Sequence, residues 1–318
     1  MEDSGALEIQ VLGVSREAEA VRELVGRATS GDDPVTVLGE PGTGKQLIAQ
    51  LIHERSPRAK SPFLMIDCSL YYERELKREL FGYGGEGAGQ RSARKGILEF
   101  ASRGTCYLAH VEELSPSIQA TILEFLQRGR FCRLGDNHEV VSGARLIVSS
   151  GKNLEGFVRA GLFHAKLFEE LTRAYVRLVP LRERKEDIPC IVDALRASFS
   201  DKKEAGDVVA FSAEVMEALK SYPWPLNFDE LKKEVGWLLE RGGKTVSPEH
   251  LSMEISSYWL GQLGDPETRR VLEELDGYIR EFRVMSRLNH ELGDLAGALA
   301  YGNESSTRNC YWDLLEEL

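Results

Sequence analysis

Short apolar runs alternate with amphipathic stretches over the first half of the chain. Val35-Thr36-Val37-Leu38, Phe63 to Ile66, Thr105 to Leu108 and Arg145 to Ser149 are brief and predominantly apolar, which predicts strands. Gln46 to Arg55 places apolar residues at helical spacing. Strands alternating with helices predict a parallel sheet covered on both faces, so the fold class is a three-layer α/β module. From Leu181 to Trp259 the pattern becomes helical. Ile188 to Ser198 and Ala213 to Ser221 repeat at helical spacing, and Pro223-Trp224-Pro225 separates two helices. A Gly-Asp-Pro break follows, then one long helical pattern, Glu267 to Asn289, and a shorter pair near the end. The predicted division is an α/β subdomain over 1–180, a helical subdomain over 181–260 and a helical C-terminal segment over 261–318.

Composition adds little to that picture. The 318 residues suffice for two or three domains, and 42% hydrophobic with 29% charged residues is ordinary for a globular chain. No apolar run approaches the roughly 20 residues a membrane helix needs. Met1 to Gly5 is short and acidic, unlike a signal peptide, which places the expectation in the cytoplasm. Cys68, Cys106, Cys132, Cys190 and Cys310 fall in no metal or redox spacing and read as buried thiols. A net charge of −11 opposes non-specific nucleic-acid binding.

The strongest chemical signal is Gly39-Glu40-Pro41-Gly42-Thr43-Gly44-Lys45-Gln46, which follows a strand and opens a helix. Glycines let backbone N–H groups turn inward around phosphates. The helix start adds partial positive charge, and the lysine reaches the outer phosphates. Gln46 stands where a hydroxyl residue is usual. The alternative is a Gly-rich turn that binds nothing.

Neighbouring motifs narrow the family. Ile52-His53 with Ser56-Pro57-Arg58, Pro62-Phe63, Glu79-Leu80-Phe81-Gly82, Gly104-Thr105, the run Leu181 to Pro189, and Trp224-Pro225 with Glu230-Leu231 appear in order. Over roughly Val11 to Glu240 the chain resembles the central AAA+ ATPase domain of sigma-54-dependent transcription activators. That resemblance implies ATP or ADP at Gly39 to Gln46, a helical lid over 181–260, and a ring that remodels sigma-54 polymerase. Family members often carry a regulatory domain before this region. Only about ten residues precede it here, so none is expected.

Checked residue by residue, the chemistry the family implies is missing. The acidic strand-end pair that holds Mg²⁺ and activates water corresponds to Ala109 and His110. Ala109 cannot ligate a metal, so no firm Mg²⁺ site is expected. Glu112 and Glu113 lie beyond the strand end and read as solvated or capping residues. A family Asn on the neighbouring strand corresponds to Asp67, which could pair with His110 or have drifted independently. The polar sensor corresponds to Gly151, the two inter-subunit arginines to His164 and Glu170, and the lid arginine to Asp229. Tyr83 to Gln90 replaces the polymerase-contacting loop, lacking its aromatic–Thr pair. The expectation is a nucleotide-binding pseudo-ATPase without catalytic residues.

The end of the chain is faintly similar to the family's helix-turn-helix. Yet residues 265–318 hold six Arg, no Lys and twelve Asp or Glu, which disfavours DNA. The expected partner is a protein, either a homologous AAA+ subunit or the transcription machinery, in a homo- or hetero-oligomer. An active ATPase working in a mixed ring and a nucleotide-free scaffold are the alternatives.

Overall fold

The computed structural model describes residues 13–84, 93–200 and 209–262. Five strands form one parallel sheet: β1 (Val35–Leu38), β2 (Phe63–Asp67), β3 (Thr105–Ala109), β4 (Arg145–Ser150) and β5 (Tyr175–Arg177). Their order is β2-β3-β4-β1-β5. β4 is buried at all six positions, as a central strand covered on both faces must be. β5 has only three residues, and its exposed–buried–exposed pattern explains why no periodicity announced it.

Helices cover both faces. On one face α1 (Arg16–Thr29) and α2 (Lys45–Glu54) bury Val21, Val25, Ile48 and Ile52 against Val35, Val37 and Ile147. On the other, α3 (Glu73–Phe81), α4 (Pro116–Arg128), α5 (Leu154–Arg159) and α6 (Ala165–Leu171) contribute Leu76, Leu80, Ile118, Ile122 and Leu167. These pack on Ile66, Leu108 and Val148.

The register sets the site. Asp67 lies opposite Ala109, and Leu38 lies between Ser150 and Arg177. The C-terminal ends of all five strands therefore share one edge, where open α/β sheets bind ligands.

The helical subdomain contains α7 (Ile188–Ser200), α8 (Ala213–Ser221) and α9 (Asn227–Arg241). Trp224 anchors the turn into α9: it is fully buried, its indole N–H donates to the Leu219 carbonyl at 2.8 Å, and its backbone is left-handed (φ 49°). Ser15 caps α1 and also donates to buried Asp187 at 2.6 Å, which ties the start of α1 to this subdomain.

Residues Met253–Leu318 form a separate compact unit. Its described part is α10 (Met253–Gln262). The expected long helix, the helix-turn-helix likeness, Cys310 and Gly85 to Gln90 of the surface loop lie outside the described residues. Among the described residues no helix is long and apolar enough to cross a membrane. The thiols differ from expectation. Cys68 and Cys106 are buried, but Cys132 is exposed and Cys190 half-buried. Cys132 ends a short strand whose alternation turns it outward.

Candidate functional site

Gly39 to Gly44 connects β1 to α2. Left-handed backbone at Gly42 (φ 73°) and Gly44 (φ 88°) turns the chain into the helix, a conformation that glycine adopts without strain. The loop is braced internally: the Thr43 hydroxyl donates to the Glu40 carbonyl at 2.7 Å. The Lys45 ammonium donates to the carbonyls of Gly39 (2.9 Å) and Glu40 (3.0 Å). Burial lowers the Lys45 pKa, while the carboxylates of Glu112 and Asp229 act against that shift. The Gln46 side-chain amide turns away toward the Met65 sulfur, 3.3 Å distant.

The helical subdomain closes directly on this loop. Asn227 is fully buried and left-handed (φ 53°). Its Oδ1 accepts from the Leu181 N–H at 3.0 Å, and its Nδ2 donates to the Pro41 carbonyl at 2.9 Å. Arg182 grips Glu40 through two bonds of 2.5 and 2.6 Å, and this contact holds the Glu40 carboxyl below its usual range. A side chain at Gly42 would run into the Leu226 carbonyl. The Asp229 N–H donates to the Gly42 carbonyl at 3.4 Å. Its Oδ2 stands 3.5 Å from where a Gly42 Cβ would be, so an acid crowns the loop where the resemblance expects an arginine.

At the strand ends, Ala109 closes β3 and His110 follows in left-handed backbone (φ 55°). His110 Nδ1 lies 2.8 Å from Asp67 Oδ1. The same oxygen accepts from the Ser69 N–H (2.9 Å) and hydroxyl (2.6 Å). Burial raises the Asp67 pKa, but the bonds from Ser69 and His110 outweigh it and the net shift is downward.

Glu112 corrects a sequence expectation. It is not solvated: only 7% of it is exposed, and its Oε1 accepts the Gly151 N–H at 3.3 Å. The short 3-10 turn Val111–Glu113 that follows left-handed His110 turns it inward. No spacing in the sequence signals this. Glu113 does stay outside, paired with Lys152 at 2.7 Å.

His164 and Glu170 sit apart from the loop. His164 begins α6, exposed, with its backbone N–H on Gln119 Oε1 at 2.7 Å. Glu170 pairs with Arg173 at 2.8 Å and borders a hollow with Asp33, Gly143 and Arg145, at the opposite edge of the sheet. One chain thus gathers Gly39 to Gln46, Asp67, Ala109, His110, Gly151 and Asp229, and leaves Glu170 out. Asn227 and Arg182, which join the lid to the loop, had no role assigned from sequence.

A cleft of about 640 Å³ runs past Gly39, Glu40, Gly151 and Arg177, a size typical of small-molecule sites. Behind Thr43, a cavity of about 10 Å³ lies among Val21, Ile48, Leu178 and Arg184. That is about the room one water needs.

The family model for the sigma-54 interaction domain matches residues 11–177, and that for the AAA+ ATPase lid domain matches 182–259. The chain is 35% identical over 273 residues to the transcriptional regulatory protein XylR of Pseudomonas putida, covering 85% of this chain and 48% of that protein. It is 36% identical over 226 residues to a Nif-specific regulatory protein of Azotobacter vinelandii, covering 71% and 43%. The chain thus spans less than half the length of these curated relatives. Among solved structures, NtrX from Brucella abortus in complex with ADP superposes with a TM-score of 0.71 at 27% identity, over 82% of this chain and 61% of that one. The same protein with ATP gives 0.71 over 83% and 61%. The family-model matches, the relatives and the shared fold agree: the chain belongs to the sigma-54-activator family of AAA+ transcription regulators.

Proposed function

We propose that this protein is a transcription regulator that binds a nucleotide without hydrolysing it and acts through protein partners. The observation that carries this reading is the contrast at one sheet edge. The phosphate loop keeps its glycines, its helix start and Lys45, while the adjoining strand end presents a methyl group at Ala109 and a histidine already held by Asp67. The loop suits ATP or ADP phosphates, as the ADP and ATP complexes of NtrX exemplify for that protein. Seating a base behind Thr43 requires α1 to part from the Leu178–Arg184 segment.

The residues do not fit a bound Mg²⁺. Ala109 offers no oxygen, and the Gln46 amide is engaged with Met65. Without a metal or a trans cation, charge developing on a transferring phosphoryl group is left unbalanced. His164 and Glu170 supply no arginine, and a glutamate facing a neighbour's triphosphate repels it. The protein therefore works by occupancy: a nucleotide bridging loop and lid sets the surface offered to a homologous AAA+ subunit or to the sigma-54 machinery. The predominantly acidic 265–318 segment argues for a protein partner over DNA.

The test is a nucleotide titration and a phosphate-release assay on the purified chain. Binding is expected, weakened by Lys45→Ala, with release no faster than buffer. Release that disappears in both Lys45→Ala and His110→Ala identifies a working site and defeats the proposal. Release only after mixing with an active homologue favours the mixed ring, and no binding at all favours the scaffold.

A further inference from the structure

The buried carboxylate of Glu112 has no part in the reading above, yet it lies beside the phosphate loop. Its Oε1 takes the Gly151 N–H at 3.3 Å, and its Oε2 is buried with no hydrogen-bond partner. Gly151 in turn faces the loop: a Cβ there would stand 4.0 Å from the Lys45 ammonium and 3.7 Å from the Gly39 carbonyl oxygen. Glu112 and Lys45 therefore meet at the same glycine, which carries no side chain to separate them. Lys45 has three N–H donors and gives two to loop carbonyls. The third is left in the field of two acids, Glu112 on the strand-end side and Asp229 over Gly42.

We propose that the loop is selective for a nucleoside diphosphate, because the Glu112 carboxylate takes the place that a third phosphate would need beside Lys45. This rests on the reading that Gly39 to Lys45 binds nucleotide at all. A diphosphate is held by the backbone N–H groups of the loop and the start of α2, and needs no approach to Glu112. A triphosphate must bring its terminal group toward the ammonium that Glu112 already faces. Two like charges then share a partly buried place, where screening by water is weak and repulsion is strong. The missing side chain at Gly151 and the inward turn of Glu112 thus form one arrangement: a space is opened and an internal anion fills it. An orphaned, desolvated oxygen is costly unless a cation stands nearby, and Lys45 is the cation the structure places there.

The experiment titrates fluorescent ADP and a non-hydrolysable triphosphate analogue into the purified full chain, in EDTA and again with Mg²⁺. Unmodified protein is expected to hold the diphosphate at least about tenfold more tightly than the triphosphate analogue, a difference readily resolved by titration. Glu112→Gln keeps the shape and the Gly151 contact but removes the charge. It should raise triphosphate affinity about tenfold and leave diphosphate affinity within about threefold. Circular dichroism and thermal melting of the variant verify the fold. Equal affinities in the unmodified protein, or an unchanged ratio in Glu112→Gln, overturn the selectivity while leaving nucleotide binding intact. A preference erased by Mg²⁺ overturns it too, since the carboxylate would then be acting as a metal ligand. If neither nucleotide binds, the underlying reading falls along with this one.

Discussion

Around the phosphate loop, polar side chains join segments far apart in sequence. Asn227 spans Leu181 and Pro41, and Arg182 reaches Glu40. Along the strand-end rim and α6 the engagements are more local or simply exposed. Asp67 holds Ser69 and His110, Glu113 holds Lys152 at the surface, and Glu170 holds Arg173 three residues on. The loop is thus fixed by buried tertiary contacts that only the folded chain can supply, which makes its geometry sensitive to small changes. On the rim, groups standing where the family places catalytic ones have their hydrogen bonds made among themselves, and changing them disturbs little else. A binding surface under strict geometric control beside a rim closed upon itself is what a regulator needs if it reads a nucleotide rather than consumes it.

The sharpest way to break that comparison is Gly42→Ala. The position needs φ near 73°, and a methyl there meets the Leu226 carbonyl. Strain and a forced backbone shift together predict a loss of about 2–4 kcal/mol in urea unfolding. Nucleotide affinity should fall in the same variant. A loss under about 1 kcal/mol would mean that the lid yields easily and that the loop is no better fixed than the rim.

Much of this arrangement was legible in the chain because its signals are local. The glycines and lysine of Gly39 to Lys45, the apolar strand runs and the Trp224-Pro225 turn each announce themselves within a few residues. Three-residue β5 was missed because a strand that short shows no period. Glu112 was misread because its burial depends on the left-handed backbone of His110, which no neighbouring residue type dictates. The Asn227 and Arg182 contacts join positions more than a hundred residues apart, and such contacts leave no mark on either local pattern.

A middle-sized effect tests the rim. His110 is strained in left-handed backbone yet gains a hydrogen bond to Asp67. His110→Ala keeps the strain and loses the bond, at a cost of about 1 kcal/mol. His110→Gly loses the bond but relieves the strain, so it should fall within about 0.5 kcal/mol of the unmodified protein. Identical losses in the two variants would show that the backbone there is unstrained. The pair also predicts a pH response. Asp67 has a folded pKa below its ordinary 3.8, so its stabilisation is fully present above 3.8 and is lost as pH falls through the folded value. The stability gap between the unmodified protein and Asp67→Asn should narrow on acidification below 3.8. A gap that widens there reverses the sign of the argument.

The smallest effect expected is at Glu170. Its partner Arg173 is 61% exposed and lies three residues along the chain, so the pair is screened by water and costs side-chain freedom to hold. Removing it by Glu170→Ala should change unfolding stability by less than about 0.5 kcal/mol. Glu170→Arg carries the comparison further, because it restores a cation where the family has one. In a single protomer that cation lies at the edge of the sheet opposite the loop, beside Asp33, Gly143 and Arg145. Nucleotide affinity measured at concentrations where the chain is monomeric should therefore stay within about twofold. If affinity rises with protein concentration in Glu170→Arg but not in the unmodified chain, the new arginine is reaching a neighbour's nucleotide. The rim's isolation would then come from its side chains and not from the way protomers meet. No concentration dependence in either protein would instead mean that position 170 never faces a neighbour's phosphate loop.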